Sequence, residues 1–440
     1  MTTSPAPPGR RAAATQRRPG PDLLLTLVTR GFDGLPRLSG APLPTRLMGR
    51  RALLLRGPQG VRTFYDSSRT ARSGAVPGVL SNVLFGRGAV HGLDDAEHRV
   101  RKELFTSVLA PENVQSLLTE SGAQWRRTVL GWQRGRGRFV LFEEAVHVLG
   151  RSVLRWSGVS DGEDEQRDTR RAHDLMLIVD GFGSAGRRFL RARAARSRCE
   201  RWARDAVRQA RAGGAAGSSA LGAIAHHRDT HGDLLDERTA AVELLNVLRP
   251  TVAVAWLVCQ AAVALHENPD WRDIVLAADA AGDRGGAEEL AVAVAHEVRR
   301  RYPFVPALAA RVRRDGEVDG QRLRRGDRLV IDVVGTHRDP AEWPRPEAFD
   351  PDRFLGQGMC PVSHAFLPQG AGDARTGHRC PGEPATVRLL AQAVRVLASV
   401  EHRLPAQDLR MAPRPVPSRP ASGYLLTDVR LPDEDTMGGW

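Results

Sequence analysis

The sequence predicts a mainly α domain with a minor β region, an α+β arrangement, on three observations. Apolar residues recur at three- and four-residue spacing through most of the first half. Residues 236–266 form one long stretch that is almost wholly apolar in its second half, so it must be a helix enclosed by others. Alternating, strand-like runs are short and lie in the C-terminal half.

Taken in order, residues 1–20 are rich in Pro, Arg and Ala and read as a mobile basic tail, leaving residues 21–440 as a single domain. Periodicity predicts helices over 97–109, 112–132, 143–156, 168–179 and 187–211, the last strongly basic. A small-residue break at 213–219 separates these from the long apolar helix, the expected spine of the domain. A helix over 288–302 follows, then strands near 309–314 and 328–333. Next come a Pro-rich irregular stretch over 339–361, a helix over 383–400 and a strand near 424–429.

Composition narrows the function. With 440 residues, 41% hydrophobic, 5% aromatic and 26% charged, the chain is neither disordered nor a multi-span membrane protein. The net charge is +13, yet Lys102 is the only lysine, and the arginines are interleaved with acids rather than gathered in a stripe. Specific nucleic-acid binding is therefore not expected. Cys199, Cys259, Cys360 and Cys380 are too scattered for a disulfide framework or a metal site of paired cysteines. The early apolar run at 23–28 is too short for a membrane span, and Arg10-Arg11 and Arg17-Arg18 lack the apolar stretch of an export signal. A cytoplasmic protein is expected.

The densest motif is the loop from Gln369 to Glu383, QGAGDARTGHRCPGE, which places Cys380 just before a helix. A helix N-terminus favours an anionic thiolate, and the glycines allow close approach to something flat and large. His378 and Arg379 are expected to pair with anionic groups on that object. A thiolate beneath a haem fits, since such ligation promotes O–O cleavage. Glu297 and Arg300, three apart on a helix, are expected to pair, with Arg353 as a second cation for the same carboxylate. Arg249-Pro250 interrupts the apolar helix. Proline there costs about 3 kcal/mol, and a buried arginine is expensive without a counter-ion. The two together mark a site, and a carboxylate on the guanidinium fork would resolve the charge.

In this order and spacing, Glu297-x-x-Arg300, Phe349-Asp350-Pro351-Asp352-Arg353-Phe354 and the loop ending at Cys380 resemble the cytochrome P450 superfamily. The usual phenylalanine seven residues before the cysteine is Asp373 here, and the usual arginine two before it is His378. Asn246-Val247-Leu248-Arg249-Pro250 stands where most members carry an acid–threonine pair. Those departures are shared with the bacterial fatty-acid peroxygenases. So are Arg72-x-Gly74-x-x-Pro77, the run from Leu84 to Asp94, His98-x-x-Arg101-Lys102, Tyr302-Pro303-Phe304-Val305-Pro306 and Gly335-Thr336-x-x-Asp339.

The resemblance implies haem b (iron protoporphyrin IX) on Cys380, with Arg72, His98, Lys102 and His378 about its edge. It implies hydrogen peroxide as co-substrate, a long-chain fatty acid as partner, and no reductase or ferredoxin. Arg249, with Pro250 and His91, would be catalytic. Arg249 would hold the substrate carboxylate as the general acid–base centre, and Phe85, His91 and Phe304 would line the substrate. Glu297, Arg300 and Arg353 would be structural. Histidine at 91 implies alkene-forming decarboxylation beside α/β hydroxylation. Ala307 and Pro384 depart from the family's common residues, which leaves pocket shape and proximal packing open. Two other readings stand beside this one. The first is a redox-partner-dependent monooxygenase acting on another carboxylate; the second is a non-catalytic haem or lipid carrier. Gly181–Gly186 fits GxGxxG with Glu200 near the ribose offset, but no strand is predicted before it, so a dinucleotide site is not expected. His226 and His227 are expected to be exposed, and Cys199, Cys259 and Cys360 inert.

Overall fold

The computed structural model describes residues 20–431 apart from 32–33, 37–40, 136, 214–218 and 412–415, so the expected tail lies, but for Gly20, outside the described residues. The first segment contains α1 (Leu23–Arg30), the hairpin β1 (Leu43–Leu47) and β2 (Arg50–Leu55), α2 (Gly57–Tyr65), β3 (Thr70–Ala71) and α3 (Gly78–Leu84). A helical block follows: α4 (Asp95–Val108), α5 (Pro111–Gly135), the short β4 (Phe139–Val140), α6 (Leu141–Trp156), α7 (Glu165–Asp180), α8 (Gly186–Ala212), α9 (Ala220–Ala225) and α10 (Glu237–Glu267). The last part holds α11 (Pro269–Ala280), α12 (Arg284–Arg301), β5 (Ala307–Val312), β6 (Gly316–Val318), β7 (Gln321–Leu323), β8 (Arg328–Asp332), α13 (Val333–His337), α14 (Glu383–Ser399), β9 (Glu401–Arg403) and β10 (Leu425–Arg430).

Helix α10 is the spine. It packs on α6, α7, α8, α12 and α14, and one hydrophobic cluster runs through all of them. It is the one described helix long and apolar enough to cross a membrane, and 94% of its apolar window is buried inside the protein.

The β region is not confined to the C-terminal half as expected. The five-stranded sheet runs β1-β2-β8-β5-β3, with β2 parallel to β8 and the other neighbours antiparallel. The reason lies in β2, whose last four residues, Ala52 to Leu55, are all buried. Leu53 and Leu55 pack with Ile331 and Phe64, while Ala52 and Leu54 pack with Val330 and Leu23. A strand covered on both faces shows no alternation, and the pattern alone cannot tell it from a short helix.

Residues 181–185 form the turn between α7 and α8, so the element leading into them is a helix and not a strand. Glu200 pairs with Arg196 at 2.8 Å. His226 and His227 are half-buried rather than exposed, because α9 packs against α4, α8 and α10 and its His226 ring bonds back to the Gly222 carbonyl at 3.0 Å.

Candidate active site

Cys380 precedes α14, and its N–H donates to the Gln369 carbonyl at 2.9 Å, folding the loop back on itself. Gly370 is needed there: its φ is +95°, and a Cβ would stand 2.9 Å from the Tyr65 hydroxyl. The sequence predicts a helix end that favours thiolate. In the protein, burial outweighs that effect and pushes the Cys380 thiol up, against the Gly382 N–H, Lys102 and Gln369, which pull it down. A cation that takes the sulfur as ligand reverses this balance, because a coordinating thiol is deprotonated outright. Cys199 and Cys259 are pushed up to about 12 and Cys360 to about 11 by burial, as unreactive thiols are.

A network missed in the sequence supports this loop. Gln369 Nε2 lies 3.6 Å from the Cys380 sulfur, while its Oε1 accepts from Arg299 Nη2 at 2.9 Å. Arg299 also pairs with buried Glu383, whose other oxygen accepts from Arg379 Nε at 2.7 Å. Arg379 is therefore bound to Glu383 and the Pro361 carbonyl, and does not face an external anion as expected. The one available signal was three consecutive arginines, 299 to 301, closing a helix whose middle, Leu290 to Ala295, is apolar. Beside it, Arg300 grips Glu297 with two bonds of 2.7 Å, and both side chains are fully buried. Arg353 stands farther off, at 3.8 Å, and the Asp350 N–H donates to Glu297 at 2.9 Å.

Arg72, His98, Lys102 and His378 come together at one edge. The His98 and His378 rings lie 4.0 Å apart. Arg72 stacks over Phe64 and leaves Nη1 buried with no partner. Lys102, lowered to about 8 chiefly by burial, donates to the Gly377 carbonyl at 2.9 Å and to the Arg379 carbonyl. Its N–H groups thus hold the cysteine loop.

On the third side, α10 presents Arg249, only 5% exposed. Its Nη2 donates to Asn246 Oδ1 at 3.2 Å, its Nε has no partner, and no carboxylate pairs with it among the described residues. Burial draws its pKa down to about 9; Arg196 acts in the same direction, and the Cys380 sulfur opposes. Pro250 follows within the helix and has no N–H to give the Asn246 carbonyl. The guanidinium lies 5.4 Å over the Phe85 ring, which stacks on His91 at 4.0 Å and 23°. Burial and the neighbouring Arg249 lower His91 to about 3, so its ring is neutral. Phe85 is held by Gly86, whose φ is +91° and whose Cβ would strike Arg196 at 2.1 Å. Phe304 packs edge-on to Trp256 at 6.4 Å.

These residues fit a haem. His91 and Cys380 both keep accessible surface, and the Cys380 sulfur lies near enough to Arg249 to oppose the lowering of its pKa. The orphaned Arg72 Nη1, with His98 nearby, supplies a donor suited to an acidic group at the edge of such a plate, whereas His378 Nε2 already faces Asp94 at 3.6 Å.

Comparison with known proteins agrees. The family model for cytochrome P450 matches residues 289–425. Cytochrome P450SP alpha, solved with (R)-ibuprophen, is 37% identical, and the match covers 94% of this chain and 100% of that one, with TM-score 0.85. Cytochrome P450EX alpha with myristic acid is 36% identical over 89% and 92% of the two chains, with TM-score 0.80. A cytochrome P450 OleT variant in complex with arachidonic acid is 29% identical over 94% and 98%, with TM-score 0.84. Among curated relatives, cytochrome P450 139 of Mycobacterium tuberculosis is 29% identical over 344 residues, 71% of this chain and 77% of its own. With its cysteine loop, buried Glu297–Arg300 pair and Arg249-Pro250 helix, the chain belongs to the cytochrome P450 superfamily, in its bacterial fatty-acid peroxygenase family, and is an oxidoreductase.

Proposed function

We propose that this enzyme uses hydrogen peroxide, without a reductase, to hydroxylate and oxidatively decarboxylate long-chain fatty acids. The observation that carries this reading is the buried Arg249 guanidinium, which has no carboxylate partner among the described residues and an unpartnered Nε. A buried charge left unpaired costs several kcal/mol, and a substrate carboxylate supplies the missing counter-ion. That relatives are recorded with myristic and arachidonic acids supports a fatty acyl chain as the rest of the ligand.

Cys380 would hold haem b through its sulfur, with Arg72, His98, Lys102 and His378 at its edge, and the bound group would supply the oxidising chemistry. Around it, this chain's residues do three things. Arg249 fixes the carboxylate, which restricts oxidation to the carbons next to it. The carboxylate so fixed can take a proton from hydrogen peroxide and return it to the leaving oxygen as water forms. Phe85, His91 and Phe304 present apolar or neutral surface, which favours an acyl chain over water.

The test is turnover of a C10–C20 acid series by the haem-loaded protein, with products identified by mass spectrometry. Peroxide alone is expected to drive oxidation at carbons α and β, with terminal alkenes among the products. Turnover with NADPH and electron donors but not with peroxide would contradict the reading.

A further inference from the structure

Helix α10 carries a second buried charge that the mechanism above does not use. Glu243 is fully buried, and Glu243, Asn246 and Arg249 follow one another at three-residue steps along one face. Glu243 Oε1 accepts from Arg101 Nη1 at 2.7 Å and from the Val90 N–H at 2.9 Å, and Oε2 accepts from Asn246 Nδ2 at 3.0 Å. Asn246 Nδ2 donates again to the Phe85 carbonyl at 3.0 Å, while its Oδ1 accepts from Arg249 Nη2 at 3.2 Å.

This set leaves the Asn246 amide a single orientation. The Glu243 carboxylate and the Phe85 carbonyl only accept, and a guanidinium only donates. The NH2 must face the first two and the oxygen must face Arg249; turned over, the amide would oppose like with like at all three contacts. Glu243 already answers to Arg101, and Asn246 is neutral, so Arg249 is aimed without being neutralised. The same pair holds Val90, the residue before His91, and Phe85, which stacks on it.

We propose that Glu243 and Asn246 are positioning residues for acid recognition: Glu243 locks the Asn246 amide, and Asn246 aims Arg249 while leaving its charge for an anionic head group. The proposal rests on the reading of Arg249 as the carboxylate holder. In Glu243→Gln, a glutamine oxygen kept on Arg101 and Val90 turns its NH2 onto the NH2 of Asn246, which forces the asparagine to rotate. Asn246→Leu keeps the branched outline of the side chain and removes the aim altogether.

The experiment measures dissociation constants of hexadecanoic acid and hexadecan-1-ol on the haem-loaded wild type, Glu243→Gln, Asn246→Leu and Arg249→Ala, together with haem content. Both positioning variants are expected to weaken the acid about tenfold, the value of one hydrogen bond's worth of affinity. The alcohol constant should move less than about twofold on the same scale, so that the acid-over-alcohol preference falls. An unchanged preference in both variants, while Arg249→Ala loses it, would overturn the proposal and leave the role of Arg249 standing. Loss of haem, or equal weakening of acid and alcohol, would overturn it in favour of a purely structural role. Retention of the preference by Arg249→Ala would remove the reading of Arg249 itself.

Discussion

Arg249 and His91 differ in charge at the level of single side chains. Arg249 remains cationic at neutral pH although burial draws it to about 9, whereas His91, at about 3, never gains a charge in the working range. On this reading His91 would act through shape as a neutral ring stacked on Phe85. Glutamine at this position would keep a neutral polar group but lose the aromatic stack, worth about 0.5–1.5 kcal/mol. His91→Gln is expected to move product from alkene towards hydroxy acid by about two- to tenfold, read from the product ratio in mass spectrometry. An unchanged ratio would remove His91 from control of the partition.

At the level of elements, α10 gives up regularity to make the site. Pro250 removes a hydrogen bond inside a helix that is otherwise buried and continuous from Glu237 to Glu267. Restoring the N–H with Pro250→Ala should raise the stability of the holoenzyme, by up to about 3 kcal/mol, while weakening acid binding as the Asn246 carbonyl is taken up by the restored N–H. Calorimetry and a binding titration together check this; a lower melting temperature with unaltered acid binding would contradict it. The cysteine loop follows the opposite strategy, since its irregular backbone is fixed by buried ion pairs from α12 and α14, Arg299–Glu383 and Arg379–Glu383. Breaking one partner of such a pair leaves a buried charge.

Across the whole molecule, fully buried histidines set the acid limit of stability. Burial, with the adjacent Arg299, lowers His296 to about 4, and burial, with Arg300, lowers His337 to about 3. Unfolded, both protonate near 6.5. The native state thus binds fewer protons below that value, so their stabilising effect is complete above about pH 6.5 and is lost as pH falls toward the folded values. The two sites together cost at most about 2.7 kcal/mol per pH unit, a slope approached only near pH 5, where the unfolded rings are protonated and the folded ones are not. Thermal midpoints recorded from pH 7 to pH 5 should fall steadily, and a flat profile would contradict the assignment.

The long helices were legible because each buries one stripe: 97–109 became Asp95–Val108, and 383–400 became Glu383–Ser399. Helix α11, with Val275 its only buried residue, gave no such stripe, and β2 is buried on both faces. Cys380, Arg249 and the Glu297–Arg300 pair stood out because motif spacing is local. The Glu243–Arg101 pair joins residues 142 positions apart, and Arg299 reaches Glu383 across 84, so neither could be read from one chain. The one acid in the interior of the apolar helix, Glu243, was as strong a signal as Arg249.

The central claim is that a buried guanidinium on α10 awaits the acid group of its substrate. A crystal structure of the haem-loaded enzyme with hexadecanoic acid tests it most directly. The carboxylate should lie within hydrogen-bonding distance, about 3 Å, of Arg249, with Asn246 still accepting from the same guanidinium. An acid group bound elsewhere, with Arg249 turned away or paired to a protein carboxylate, would contradict the account.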